Sequence, residues 1–298
     1  MSLAFPHKGG WGTDVALESI AKKLQRGNVL LVLGAGVSMF YGLPNWKDLL
    51  AGIRCDGTGH TLPEISDDYP RWAQNILDDL FGGDEKKFSE AISEALYGSP
   101  TKEIDTERIR HNETLRSICA IGTDSMRGKT DSIVTFNYDS LLESYFESDG
   151  LVVQPVTSEN QPWESADITI FHPHGFLPHR ESRFKRSENI VLATCQYDRS
   201  VSSHWESILE NLFSTRFCLF VGLSGEDKRL ESILSKVKNR NQHAKVENYW
   251  GYRICGKGDR KIDMWESNHV FSLEVDELGL KIPETILKIC QTAAQGAR

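Results

Sequence analysis

Four short apolar runs in this 298-residue chain each end in residues able to grip a phosphate, bind a sugar hydroxyl or take a proton. The first, Val29 to Leu33, runs into Gly34-Ala35-Gly36-Val37-Ser38 and then Gly42-Leu43-Pro44-Asn45-Trp46. Glycines at a strand end let backbone N–H groups approach a pyrophosphate closely, and a helix N-terminus behind them favours negative charge. The second run, through Thr135-Phe136, ends in Asn137-Tyr138-Asp139. The third, Ile168 to Phe171, ends in His172-Pro173-His174-Gly175, and the fourth, Phe217 to Val221, in Gly222-Leu223-Ser224-Gly225. Ligands of open α/β sheets bind outside the carboxyl ends of the strands. These four termini are therefore candidate walls of one dinucleotide site.

Bringing them together requires strands to alternate with helices. Leu17, Ile20, Ala21 and Leu24 recur at helical spacing ahead of the first strand. Leu141, Leu142, Tyr145 and Phe146 form a stripe after the second, and Leu230, Ile233, Leu234 and Val237 one after the fourth, past Glu226-Asp227. Further strand candidates are Val152-Val153, Ile190 to Ala193, Tyr249 to Ile254 and Val270 to Leu273, and a last helix is expected from about Pro283. The alternation predicts a doubly wound parallel sheet. Between about 55 and 129 every stripe is helical: Trp72, Ile76, Leu77 and Leu80, then Phe88, Ile92 and Leu96, then Leu115, Ile118 and Cys119. This predicts one domain over residues 1–298 carrying a mostly helical insertion.

Composition narrows the function classes. A hydrophobic content of 39% and a charged content of 26% are those of a soluble globular protein. The net charge of −8 offers no general attraction to nucleic acid or to an anionic membrane. No apolar run approaches the roughly 20 residues that span a bilayer, and the first ten residues lack the build of a signal peptide, so a cytoplasmic location is expected. The six cysteines, Cys55, Cys119, Cys195, Cys218, Cys255 and Cys290, include no C-x-x-C pair, which argues against a zinc ribbon. His172, His174 and His179 match no familiar zinc spacing either, so no metal is expected.

Taken together, the motifs resemble the sirtuin family, in its zinc-less bacterial branch associated with phage defence. The family pattern is Gly-Ala-Gly-x-Ser with a following Gly-[Ile/Leu]-Pro, then Thr-x-Asn-x-Asp, His-Gly and Gly-x-Ser, all present here in that order from Gly34 to Ser224. The resemblance covers about three quarters of the chain and implies a Rossmann-like sheet. It implies that Gly34, Ala35, Gly36 and Ser38 hold the NAD phosphates, that Asn137 and Asp139 line the nicotinamide-ribose side, and that His174 is the catalytic histidine. Gly222 and Ser224 would meet the adenosine half. Pro44 and Trp46 stand with Asn45 where sirtuins carry Pro-Asp-Phe-Arg, and they count among the expected cofactor-binding residues. Protein-deacylating sirtuins hold a four-cysteine zinc module that this chain lacks. By resemblance the expected activity is NAD+ hydrolysis, as the toxic effector of an abortive-infection system. A homo-oligomer, with a HerA-like hexameric ATPase as a possible defence partner, is the expected means of control.

Nicotinamide in NAD+ is a cationic leaving group on an anomeric carbon, so cleavage needs an oriented ribose and a placed water. An asparagine binds water or a hydroxyl without ionising, and a histidine of ordinary pKa, about 6.5, accepts a proton near neutrality. Asn137 and His174 suit those catalytic roles. Other readings stay open at this stage. Asn137 and Asp139 would equally cap the following helix, and His172 is either structural or a support for its neighbour. The whole chain could be a module that senses NAD+ or ADP-ribose without turnover, or a zinc-independent deacylase.

Overall fold

A computed structural model of the chain describes residues 13–53, 66–98, 105–123, 129–162, 164–200, 203–243 and 249–295. Cys55 lies outside them. After helix α1 (Thr13–Gln25) comes β1 (Val29–Leu33), then α2 (Gly36–Met39), α3 (Trp46–Gly52), α4 (Tyr69–Phe81), α5 (Glu85–Tyr97), α6 (Thr106–His111) and α7 (Glu113–Thr123). The chain returns to the sheet as β2 (Ser132–Thr135), followed by α8 (Leu141–Ser148), β3 (Val153–Val156), β4 (Ile168–Phe171), α9 (Thr194–Ser200) and α10 (Trp205–Thr215). Then come β5 (Phe217–Val221), α11 (Lys228–His243), β6 (Gly251–Gly256), α12 (Ile262–Ser267), β7 (Val270–Val275) and α13 (Leu278–Gln295).

The seven strands form one sheet in the order β3-β4-β2-β1-β5-β6-β7, and every pairing is parallel. A parallel sheet must be covered on both faces, so its strands read as continuous apolar runs. β1 shows this directly. Leu31 and Leu33 enter a core with α1, α7, α8 and α13, whereas Leu30 and Val32 enter another with α10, α11 and α12. The result is a Rossmann-like, doubly wound sheet. The chain moves from β1 to β2 on one side and later crosses from β4 to β5 on the other, so the strand order reverses at β1. Such a reversal opens a crevice at the carboxyl edge of the sheet.

The described residues between β1 and β2 contain helices and no strand. Leu49, Leu50, Trp72, Ile76, Leu77, Phe88, Ile92 and Leu96 of α3, α4 and α5 make a third core. Their termini are well defined: Asp68 and Asp84 accept backbone N–H bonds at the starts of α4 and α5, and Gly82 ends α4 in the left-handed region at φ +59°.

Two local expectations are corrected. Ile190 to Ala193 is not a strand but an irregular segment, with Ile190, Leu192 and Ala193 packed into the helical core. Its backbone is satisfied without a sheet: Val191 N–H donates to the His174 carbonyl at 2.9 Å, and Leu192 and Ala193 N–H donate to Gln196 Oε1 at 3.0 and 2.9 Å. The last helix begins at Leu278, with Pro283 inside it. A helical proline removes one hydrogen bond, a loss outweighed here by the buried stripe of Ile282, Ile286, Ile289 and Ala293.

Candidate active site at the carboxyl edge of the sheet

The glycine turns after β1 and β5 interlock. Gly34 N–H donates to the Val221 carbonyl and Gly36 N–H to the Gly222 carbonyl, each at 3.0 Å. A Cβ on Gly34 would sit 2.6 Å from the Gly222 carbonyl oxygen, and one on Gly36 2.7 Å from the Gly222 Cα. Gly222 itself, at φ +73°, would place a Cβ 2.7 Å from the Val37 nitrogen. The contact that demands glycine at these positions is thus backbone against backbone across two strand ends. Val37 and Ser38 N–H donate to the Gly34 and Ala35 carbonyls, so the amides of Gly34, Gly36, Val37 and Ser38 all hold backbone partners.

Ser38 is the hub of a buried polar cluster that ties this turn to the end of β2. Its Oγ donates to Asp139 Oδ2 at 2.7 Å and accepts from Asn137 Nδ2 at 2.9 Å. The second Nδ2 hydrogen of Asn137 goes to the Gly34 carbonyl at 3.1 Å. Both amide hydrogens are spent, so Asn137 has only the acceptor Oδ1 left to offer a substrate. Asp139 Oδ1 accepts from Leu141 N–H at 3.1 Å, which caps the start of α8. Burial raises the Asp139 pKa to about 6, against the opposing pull of the bonds from Ser38 and Leu141.

The two histidines after β4 have different surroundings, and both are fully buried. His172 Nε2 lies 2.7 Å from Glu143 Oε1, with Glu143 also fully buried, and its Nδ1 lies 3.2 Å from the Asn137 carbonyl oxygen. A carbonyl only accepts, so Nδ1 carries a hydrogen, and one further proton is shared between Nε2 and the Glu143 carboxyl. His172 is therefore a brace between β4, α8 and the Asn137 backbone.

His174 is the chemically open one. Its ring stands 4.9 Å from that of Phe136, 5.5 Å from that of Tyr197 and 6.2 Å from that of Trp46. Nε2 is 3.2 Å from Asp227 Oδ2, yet off the hydrogen-bonding direction, and neither ring nitrogen makes a hydrogen bond. Burial lowers its pKa to about 4; Asp227 opposes that shift and Arg229 adds to it. At pH 7 the imidazole is neutral and able to accept a proton.

Gly34, Gly36, Ser38, Asn137, Asp139 and Gly222 thus meet in one hydrogen-bonded and packed unit, with Ala35 in the same turn. His174 joins through Phe136, the residue before Asn137, and Trp46 flanks it at the start of α3. Ser224 is not in the unit: it is exposed and its Oγ turns to Glu226. Pro44 lines a cleft of about 520 Å³ together with Tyr41, Asn45, Tyr97 and Arg108, and neither Gly34, Asn137 nor His174 borders it. Asp227 and Glu143 escape sequence reasoning as site residues, and Tyr197 stands out in the sequence only as a neighbour of the site without a role. The one available signal for Asp227 was its place as helix cap just after a glycine-rich strand end. Among the described residues no group of three or more His, Cys, Asp or Glu side chains is arranged to hold a metal ion, and no helix is long and apolar enough to cross a membrane.

The chain is similar to several known proteins. The NAD(+) hydrolase ThsA of Bacillus cereus (strain MSX-D12) is 22% identical over 273 residues, 89% of this chain and 51% of that protein. The NAD(+) hydrolase ThsA of Acinetobacter baumannii (strain 532279) is 22% identical over 267 residues, 84% of this chain and 47% of that protein. The chain spans about half the length of these curated relatives. A solved chain from a study of the mechanism and regulation of Sir2 enzymes superposes with a TM-score of 0.48 at 12% identity, over 94% of this chain and 97% of that one. The profile of the SIR2-like domain family matches residues 131–270, which include Asn137, Asp139, His174 and Gly222. The match to the SIR2-like domain family runs from the residue before β2 to the start of β7.

Proposed function

We propose that this chain hydrolyses NAD+ to nicotinamide and ADP-ribose. The observation that carries the reading is the fastening of Asn137 to the Gly34 turn, at the strand-order reversal and beside a buried, neutral His174. The names of the two ThsA relatives point the same way.

In this account Asn137 Oδ1 orients a water or ribose hydroxyl, and the β1 turn with Gly222 faces the diphosphate. The glycosidic bond breaks with its electron pair moving to the nicotinamide nitrogen, which becomes neutral. Water bonds to the anomeric carbon, and its proton passes to His174. A neutral imidazole has a free lone pair with which to accept that proton. Trp46, Phe136 and Tyr197 close over His174, so NAD+ must displace part of that cover to reach the imidazole. Asp139, hydrogen-bonded behind Ser38, orders the turn rather than touching the reacting atoms.

Uncontrolled NAD+ loss is lethal to the producing cell. The proposed biological role is therefore that of a gated toxic effector in cytoplasmic antiphage defence. Gating would come from self-assembly or from a partner such as a HerA-like hexameric ATPase.

Time-resolved chromatography of NAD+ with the purified protein, across concentrations and with candidate partners, tests the activity. Nicotinamide release that Asn137→Ala and His174→Ala abolish supports hydrolysis. Stoichiometric binding with NAD+ recovered intact identifies a sensing module instead. Nicotinamide release only with an acyl-lysine peptide identifies a deacylase.

A further inference from the structure

His174 faces a problem that burial creates. A proton taken up during the reaction makes an imidazolium where charge is poorly solvated. The groups facing the ring are Phe136 just after β2, Trp46 from α3, Tyr197 from α9, Asp227 just before α11 and Arg229 in its first turn. Asp227 is the anion among them.

Its two carboxylate oxygens do separate work. Oδ1 accepts from Arg229 N–H at 2.8 Å and Leu230 N–H at 3.1 Å, which pins the carboxylate as the cap of α11. Oδ2 takes no part in the cap. It lies 3.2 Å from His174 Nε2 and accepts from the Tyr197 hydroxyl at 3.5 Å. The Arg229 guanidinium makes its own bonds, from Nη2 to the Ser200 carbonyl at 3.2 Å and to Ser203 Oγ at 3.0 Å. A helix cap thus holds one oxygen so that the other is presented to the imidazole.

We propose that Asp227 is the positioning residue for His174: its Oδ2 favours hydrogen on Nε2, leaves Nδ1 as the proton acceptor, and stabilises the imidazolium formed as NAD+ is cleaved. The catalytic half of this statement rests on the hydrolase reading; the tautomer half does not. A carboxylate that orients a base imidazole is a general device of proton-transfer sites, effective because the wrong tautomer cannot accept the proton. Tyr197 steadies the oxygen that serves His174.

Asp227→Asn is the deciding variant. The amide oxygen of asparagine still accepts from Arg229 and Leu230, so the cap survives while the charge and the second acceptor are lost. We expect kcat for NAD+ cleavage to fall by about 10²- to 10⁴-fold with KM changed by less than about threefold. Nitrogen-15 NMR of the imidazoles supplies a readout independent of turnover. In the unsubstituted protein at pH 7, His174 should be neutral with hydrogen on Nε2. In Asp227→Asn its titration should move to lower pH, because the carboxylate raises the imidazole pKa. Tyr197→Phe should shift both readouts in the same direction by less.

An unchanged kcat, pH–rate profile and His174 tautomer in Asp227→Asn would overturn the proposal. So would hydrogen on Nδ1 in the unsubstituted protein, a result that needs no folded variant. If the unsubstituted protein leaves NAD+ intact while the tautomer and titration behave as expected, the hydrolase reading fails and the Asp227–His174 pairing stands.

Discussion

Asn137 Nδ2 donates to the Gly34 carbonyl at 3.1 Å, so the exit of the second strand is bolted to the turn that ends the first. The two residues are 103 positions apart in the chain, with α2 to α7 between them. The bond joins the exits of β2 and β1, and Ser38 completes the join by linking Asn137 to Asp139. A polar cluster buried this deeply raises both stability and the penalty for disrupting it.

Ser38→Ala removes the hydroxyl donor from Asp139 and one acceptor from Asn137. A loss of about 1–3 kcal/mol is expected from urea unfolding. The loss should depend on pH with a definite sign. The Ser38 bond favours the charged carboxylate, and Asp139 ionises in the folded protein only above about 6. The destabilisation should therefore be larger at pH 8 than at pH 5.

His172 and Glu143 share a proton in full burial, 2.7 Å apart. Glu143→Ala should cost about 3–5 kcal/mol, because it strands a buried imidazole. The double replacement with His172→Ala should cost less than the sum of the two single ones, by at least about 1 kcal/mol in a double-mutant cycle. Additive single costs would show that the two side chains do not interact.

His174 has a folded-state pKa of about 4, below its ordinary value of 6.5. Between those values the unfolded chain binds more protons than the folded one, so stability is lost as pH falls through this window. The loss is on the order of 3 kcal/mol at its acid end. Asp139 acts in the opposite sense: its folded pKa, near 6, exceeds the ordinary 3.8, so its contribution favours the folded state as pH falls. Comparing His174→Ala with the unsubstituted protein isolates the first effect. The stability difference should shift in favour of the variant on moving from pH 7.5 to pH 4.5, as read from urea midpoints.

Gly222 combines φ +73° with a site where a Cβ would lie 2.7 Å from the Val37 nitrogen. Gly222→Ala should destabilise by more than about 2 kcal/mol, since both strain and a backbone clash are introduced. Gly82→Ala is the control, with φ +59° and no atom within 4 Å of its Cβ. It should cost only about 1–2 kcal/mol, the strain alone, as measured by the midpoint of thermal or urea unfolding.

Much of the framework was legible in the residues. β1 and β5 announce themselves as five-residue apolar runs because a central parallel strand is buried on both faces. The same signal misleads at Ile190 to Ala193, where a buried apolar run packs on helices and takes its hydrogen bonds from Gln196 and His174. Glycine spacing located the turns after β1 and β5 but not their interlock, since the close approach of Gly222 to Gly34 and Gly36 depends on strand order. Glu143 and Asp227 were hidden for a related reason. Glu143 lies in α8 and Asp227 caps α11, both of types usually exposed, and only the tertiary fold brings them to His172 and His174. The opposite states of those two histidines, one braced and one unbonded, follow from neighbours distant in sequence.

The central claim is most directly tested by mass-spectrometric analysis of NAD+ incubated with the protein and with a folded His174→Ala variant that still binds NAD+. Nicotinamide and ADP-ribose should appear in equal amounts with the unsubstituted protein and be absent with the variant. Equal rates of NAD+ loss with both proteins, or NAD+ recovered whole from the unsubstituted protein under all conditions, would contradict it.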